Sequence, residues 1–252
     1  MLSEYTLVAR AMPDEHQELG TAICSVGLCP DKGLIRVYPL LAEVPMSQWR
    51  TYEVAIEKDA SDTRIETWKP DLSFAPHEIA NKKKDRYKFI GMMTKHWLAE
   101  SIDDLNAEKR SLAVVIPERI TGLEFRERKV DERSSSYCKK MVSKQPRISY
   151  ELGGKKHNQQ LMEFGCYQWL VKQSGRPGNL WDNLGFYNKN FRHVFLVGNY
   201  RTHRNSWGII SVMQVSLNKW RSSNGPVLPF TKMESQKSFN TCSRKASVSI
   251  RP

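Results

Sequence analysis

The chain has 252 residues, enough for one large domain or two small ones that bury a core without disulfide staples. Its ordinary mix of 40% hydrophobic and 26% charged residues, with seven Trp, nine Tyr and nine Phe, excludes a disordered polymer. The formal net charge of +12 is unevenly spread: residues 1–80 carry 7 Lys/Arg against 13 Asp/Glu, residues 81–132 carry 12 against 10, and residues 133–252 carry 20 against 4. A region so short of carboxylates gains most by meeting a polyanion, and nucleic acid is the commonest one; a basic surface without a specific ligand, or an anionic membrane, are the alternatives.

Short runs rich in Val, Ile and Tyr open the chain. Residues 5–9, 22–28, 34–38 and 52–57 are expected as strands. Cys29-Pro30-Asp31-Lys32-Gly33 between two of them is expected as a hairpin loop with Gly33 at positive φ. Residues 71–110 are expected to be mostly helical or irregular, with Trp97-Leu98…Ile102…Leu105 at helical spacing and Ser101 as a cap. Strands are expected again at 113–116 and 122–126. The polar, serine-containing stretch 131–146 is the expected linker between two units. Beyond it, 147–152 alternates as a strand, 155–158 is expected as an exposed loop and 159–172 as a helix. Strands at 193–198 and 207–215 flank the loop 199–206. The last 34 residues, 219–252, hold 7 basic and one acidic residue and are expected as a flexible basic tail.

The five cysteines are odd in number and irregularly spaced, with no CxxC pair, which argues against a disulfide framework or a zinc site. No signal-like opening and no window approaching 18 apolar residues is present, so a cytoplasmic location without membrane partners is expected. The resulting fold class is mainly β with some helix (α+β). Its expected parts are a first β domain over 1–130 with a helical insertion, a linker at 131–146, a second β domain over 147–218 and the basic tail.

Several segments carry a resemblance. Ile23-Cys24-Ser25-Val26-Gly27 is followed by Leu34-Ile35-Arg36-Val37-Tyr38-Pro39, then by Asp62-Thr63-Arg64-Ile65-Glu66-Thr67-Trp68-Lys69-Pro70. Later come Val115-Ile116-Pro117-Glu118-Arg119-Ile120, Phe195-Leu196-Val197-Gly198-Asn199 and Ser206-Trp207-Gly208-Ile209-Ile210. Together, over roughly residues 5–215, they resemble the dual OB-containing domains of uncharacterised bacterial and phage-associated proteins. The resemblance implies two small OB-like barrels, nucleic-acid contact and a defence or mobile-element setting. It transfers no catalytic residue. The basic tail is not part of the pattern, and Leu40-Leu41-Ala42 departs from it.

The candidate nucleic-acid residues fall in three groups. On one strand, Arg36 and Tyr38 share a face, and with Arg64 and Trp68 they offer guanidinium and aromatic groups suited to a phosphate and a stacked base. The alternative is a buried ion pair of Arg36 or Arg64 with Asp62 or Glu66. The loop with Tyr200, Arg201, His203 and Arg204 joins two core strands, so a rigid scaffold would present it; a solvated hairpin tip is the alternative. Lys155 and Lys156 form the third group. Trp49, Trp97 and Trp169 are expected in the core or an interface.

Catalysis finds weaker support. Glu163 with His157 and His193 could hold a metal only if folding gathers them, and Cys24 lies in an apolar strand where thiols are usually inert. No metal or cofactor is expected. The leading expectation is a non-catalytic nucleic-acid-binding subunit of a larger assembly, with the acidic first half docking a protein partner. A metal-dependent nuclease or nucleotide-processing enzyme, and a pure protein adaptor, are the rivals.

Overall fold

The computed structural model describes residues 1–16, 18–127, 144–173 and 178–218. Five strands form a closed barrel: β1 (Leu2–Arg10), β3 (Gly20–Cys29), β4 (Gly33–Leu41), β5 (Arg50–Lys58) and β6 (Thr67–Pro70). They hydrogen-bond in the order β1-β3-β4-β6-β5, and β5 closes back onto β1 over Leu2–Thr6. All pairings are antiparallel except β4 with β6. Counted along the chain, the first, second, third, fifth and fourth strands are neighbours, which is the five-stranded Greek-key closure of an OB barrel. The short β2 (Asp14–His16) pairs with β3, and β7 (His77–Asn81) pairs with β5.

Alternation fills the barrel. Tyr5, Leu7, Ile35, Val37, Leu40, Tyr52, Val54 and Ile56 point inward and form one apolar cluster. Space for the Tyr5 ring exists because β3 carries Gly27 opposite it: a Cβ there would lie 2.6 Å from the ring and 2.5 Å from the Thr6 carbonyl oxygen. The β3–β4 turn is the expected hairpin loop, with Gly33 at φ +76.

The helical segment after β7 consists of α1 (Arg86–Trp97) and α2 (Ile102–Ala107), separated at Leu98 by extended backbone. Ser101 caps α2 as expected, its hydroxyl accepting from the Asp104 N–H at 3.1 Å.

Two further sheets follow. One is β13 (Trp207–Ser216), β12 (Phe191–Asn199) and β8 (Leu112–Val115); the other is β11 (Lys155–Gln160), β10 (Lys144–Leu152) and β9 (Arg119–Glu127). An isolated bridge, Leu161 to Ile209, links them. The helices α3 (Phe164–Lys172) and α4 (Leu180–Asn183) complete this part. Mainly β with a few helices is thus the class this chain adopts.

Three local expectations are corrected. Residues 155–158 are strand β11 rather than a loop, because Gly153 and Gly154, at φ +58 and +69, turn β10 back on itself in register Leu152 to Lys155. The helix expected from Gln159 starts at Phe164, since Gln159 and Gln160 complete β11. Residues 77–81 are strand β7, held by β5.

The expected division at 131–146 does not match the pairing. β8 and β9, assigned to the first unit, pair with β12 and β10 of the second, and Lys144–Pro146 belong to β10. The expected linker at 131–143 and the tail at 219–252 lie outside the described residues.

The barrel and the rest share a core. Val8, Val26, Leu28 and Leu34 on the outside of β1, β3 and β4 pack with Ile90 and Met93 of α1, Leu112 and Val114 of β8, and Val194, Leu196, Ile210 and Met213 of β12 and β13. The alternate residues of the middle sheet, Ala113, Val115, Phe195 and Val197, face a second core with Ile148, Tyr150, Leu161 and Trp181. A sheet buried on both faces explains the near-continuous apolar runs of β8, β12 and β13.

Candidate nucleic-acid interface

In an OB barrel the second and third strands and the adjoining loops are the usual oligonucleotide face. Those strands are β3 and β4 here, and their outer face carries Val26, Leu28, Leu34 and Arg36. The shared core covers it: Leu28 and Leu34 pack on α1 and the middle sheet, and Arg36 is 1% exposed.

Arg36 sits where β4 meets β8 and β12. Its Nη2 donates to the Ser111 carbonyl at 3.1 Å, and among the described residues its Nε and Nη1 have no hydrogen-bond partner. Arg64 is buried beside it. The Arg64 guanidinium forks onto the Asp62 carboxylate, with Nε 2.9 Å from each oxygen, and Nη1 donates to the Asn199 carbonyl at 3.2 Å. Arg204 approaches the same carboxylate at 3.9 Å. Burial opposes ionisation of Asp62, but hydrogen bonds from the Arg64 guanidinium and backbone N–H outweigh it and hold its pKa at about 2. Glu66 accepts from the Ser111 N–H at 3.0 Å and from its hydroxyl at 2.5 Å. Arg36 and Arg64 are therefore corrected as surface contacts. Asp62, Arg64 and Arg204 form an ion-pair network at the seam, because a guanidinium taken out of water needs acceptors; Arg36 lies buried beside it with the Ser111 carbonyl as its acceptor.

Tyr38 is half-buried, with its ring 6.2 Å from that of His16. Burial, then the nearby Asp14 carboxylate, raises its phenol pKa.

The loop after β12 is the expected hairpin tip on a rigid scaffold, and it leans on the barrel. Arg201 Nη2 donates to the Ser61 carbonyl at 3.4 Å and hydroxyl at 3.3 Å. The Thr202 hydroxyl pairs with His203 Nδ1 at 2.9 Å. Arg201 and His203 are exposed, Tyr200 and Arg204 half-buried. Lys155 and Lys156 belong to a separate place, the outer strand β11. Lys155 ion-pairs with Asp103 of α2 and Lys156 stands opposite Glu151. Charges on an edge strand also keep it from pairing with another chain.

Trp68 is the candidate that reaches solvent in a cavity. Its ring, on β6, lies beneath two ammonium groups: Lys32 Nζ at 5.1 Å and Lys58 Nζ at 5.2 Å from the centroid. A cleft of ≈ 940 Å³ opens over this ring between the barrel rim and the end of α1, with Ile56 and Ile65 on one side and His96, Trp97 and Arg110 on the other. Trp97 packs directly on Gly33, where a Cβ would come within 2.9 Å of the indole. Arg110 Nη2 donates to the Trp97 carbonyl at 3.1 Å. The cleft also contains carboxylates: Glu57, Glu66, and Asp31, which ion-pairs with Lys32 and accepts from the Cys29 thiol. Those bonds hold the Asp31 carboxyl at about 2, while burial and the bond to Asp31 push the Cys29 thiol to about 11.

Sequence reasoning does not single out Lys32, Lys58 or Arg110 for this site, and it places Trp97 in the core or an interface. Lys32 lies in view inside the hairpin loop and Lys58 stands opposite Trp68 in the β5–β6 pairing, whereas Trp97 and Arg110 reach the cleft only when the chain beyond the barrel packs against it.

The catalytic rivals gain no cluster. Glu163 accepts from the Val212 N–H at 2.9 Å and from Gln48 at 3.2 Å, and burial raises its pKa. His193 is buried against Phe186, with Nε2 2.8 Å from the Leu184 carbonyl. Among the described residues no three His, Cys, Asp or Glu side chains gather as a metal site. Cys24, Cys29 and Cys166 are free, and burial raises the Cys24 and Cys166 thiols. Among the described residues, no helix is long and apolar enough to cross a membrane.

A family model described as a domain of unknown function (DUF8758) matches residues 3–91, from β1 into α1. No curated protein matches the chain.

Proposed function

We propose that this chain is a non-catalytic nucleic-acid-binding protein that engages its ligand at the Trp68 cleft and nearby cationic surface instead of the covered β3–β4 face. The observation that carries the reading is the Trp68 ring, held under Lys32 and Lys58 in a cleft with a second indole, Trp97. Such a site offers an indole to an unpaired base and, in the exposed Lys58, an ammonium group to the phosphate beside it, while Lys32 stays held by Asp31 and Ser3. The OB-type closure and the charge imbalance of residues 133–252 support the same reading. Exposed Arg201 and His203 at the hairpin tip extend the basic surface. The acidic surface of the first half away from this cleft suits a protein partner, so we place the chain in a nucleoprotein assembly of the dual-OB kind, in the cytoplasm of a bacterium or its mobile elements.

Titration of labelled single-stranded DNA and RNA, followed by anisotropy at low and moderate salt, tests this. Trp68→Ala is expected to weaken binding by about 1–3 kcal/mol, the value of one base–aromatic stack. Lys58→Gln, an exposed change, weakens it less and reduces the salt slope. Absence of any binding even at low salt would favour the adaptor reading. Metal-dependent cleavage abolished by Glu163→Gln would favour the nuclease.

A further inference from the structure

A second cavity lies inside the barrel, at the end where the parallel strands β4 and β6 both stop. It measures ≈ 390 Å³, and two irregular segments, 42–49 and 71–76, close this end in place of a regular element. The walls are Val37 and Leu40 of β4 and Val54 of β5, with Val44 and Met46 from the first segment and Phe74 from the second. The floor is polar at one point: the Tyr5 hydroxyl donates to Ser25 Oγ at 3.0 Å, and Ser25 Oγ donates to the Val37 carbonyl at 3.3 Å. The Tyr5 oxygen thus keeps acceptor capacity toward the cavity.

The volume falls at the small end of the range of ligand pockets, and the make-up is the usual one, apolar walls with a few placed polar atoms at a barrel mouth. Its charge is one-sided. Among the lining residues Asp71 alone is charged, and the cation near it is the Met1 ammonium, which donates to the Ile56 carbonyl at 3.3 Å. Asp71 is also fixed in place: its Oδ1 accepts from the Ser73 N–H at 3.0 Å and hydroxyl at 2.6 Å, its own N–H donates to the Ala55 carbonyl at 2.9 Å, and the Phe74 N–H returns to its carbonyl at 3.2 Å. The two Ser73 bonds, and more weakly the Met1 ammonium, lower the Asp71 pKa, so the carboxylate persists at neutral pH. This hydrogen-bonded turn is what carries Phe74 over the opening.

We propose that the barrel end is a binding site for a compact apolar molecule with a donor group, such as an aromatic amine, and that the Asp71 rim rejects carboxylates and phosphates. The site is separate from the Trp68 cleft and does not depend on the nucleic-acid reading.

Calorimetric titration of the full chain with 1-naphthylmethylamine and with 1-naphthoate, which share a ring and differ in charge, tests the site. The amine is expected to bind saturably, one per chain, and the carboxylate about twofold to fivefold more weakly, the worth of one partly exposed charge pair. Val44→Trp, at a half-buried wall position, fills the space; it is expected to abolish amine binding with thermal unfolding unchanged or raised. Asp71→Asn keeps the turn and is expected to remove the difference between the two probes. No saturable binding of the amine, unaltered binding in a folded Val44→Trp protein, or equal affinity for amine and naphthoate would each overturn the proposal.

Discussion

Asp62 is the carboxylate on which the seam between barrel and middle sheet depends, since Arg64 forks onto it and Arg204 faces it. Replacing it by Asn leaves the buried Arg64 without its counter-charge. The expected loss is about 3–5 kcal/mol, read as a fall in the urea midpoint at pH 7. His193 sets a different residue-scale behaviour. Burial lowers its pKa from 6.5 to about 4, although the bond to the Leu184 carbonyl favours its protonated form. Between those values the unfolded chain binds more protons than the folded one, so stability rises with pH there. The contribution is complete above about 6.5 and is lost as pH falls toward 4, on the order of 2–3 kcal/mol. Urea unfolding of the parent and of His193→Phe at pH 7 and pH 4.5 checks this; the variant should lose less on acidification.

At the scale of elements, four of the five barrel strands and the β3–β4 turn are legible in the sequence, because Val/Ile/Tyr-rich runs and the Gly33 turn are local signals; β6 is too short to announce itself and is held by β4 and β5. Ser101 capping α2 is legible for the same reason. What stays hidden is set by partners far along the chain. Lys155 to Asn158 have little strand propensity, yet the Gly153-Gly154 turn and β10 hold them extended. For the same reason Arg36 and Arg64 look as suited to a surface as to a core: their burial is decided by Ser111 and Asn199, 75 and 135 residues downstream respectively. Trp68 stands out by its type, and its two lysines only through strand pairing, which sets Lys58 opposite it on β5 and brings up Lys32 from the β3–β4 turn. Gly27 gives an element-scale test. Gly27→Ala drives a methyl group into the Tyr5 ring and the Thr6 carbonyl, so a loss of about 1–3 kcal/mol or more is expected by thermal denaturation.

For the whole molecule, the apolar cluster shared by β3, β4, α1 and the middle sheet makes barrel and remainder one cooperative body. Urea unfolding followed by Trp fluorescence and by far-UV circular dichroism is therefore expected to give coincident single transitions. The barrel produced alone, as residues 1–82, would bare Val8, Val26, Leu28 and Leu34 and is expected to aggregate. Charge belongs to this scale as well. Removing residues 219–252 takes away a net +6. If that segment meets phosphates, the logarithmic salt dependence of DNA affinity should flatten, by about 0.9 for each phosphate that is no longer neutralised.

The crossing of the strand pairs over the segment 128–143 has a practical consequence. β8 and β9 precede that segment, while their partners β12 and β10 follow it. A protease cut there would sever the polypeptide without separating its halves, because each half supplies strands that the other's sheets require. The two pieces, made from separate transcripts, should find each other and rebuild the working particle, whereas a cut between β3 and β4 should not be tolerated. The molecule is thus suited to use as a two-part reporter, with its natural point of division inside what the linear order presents as a junction between units.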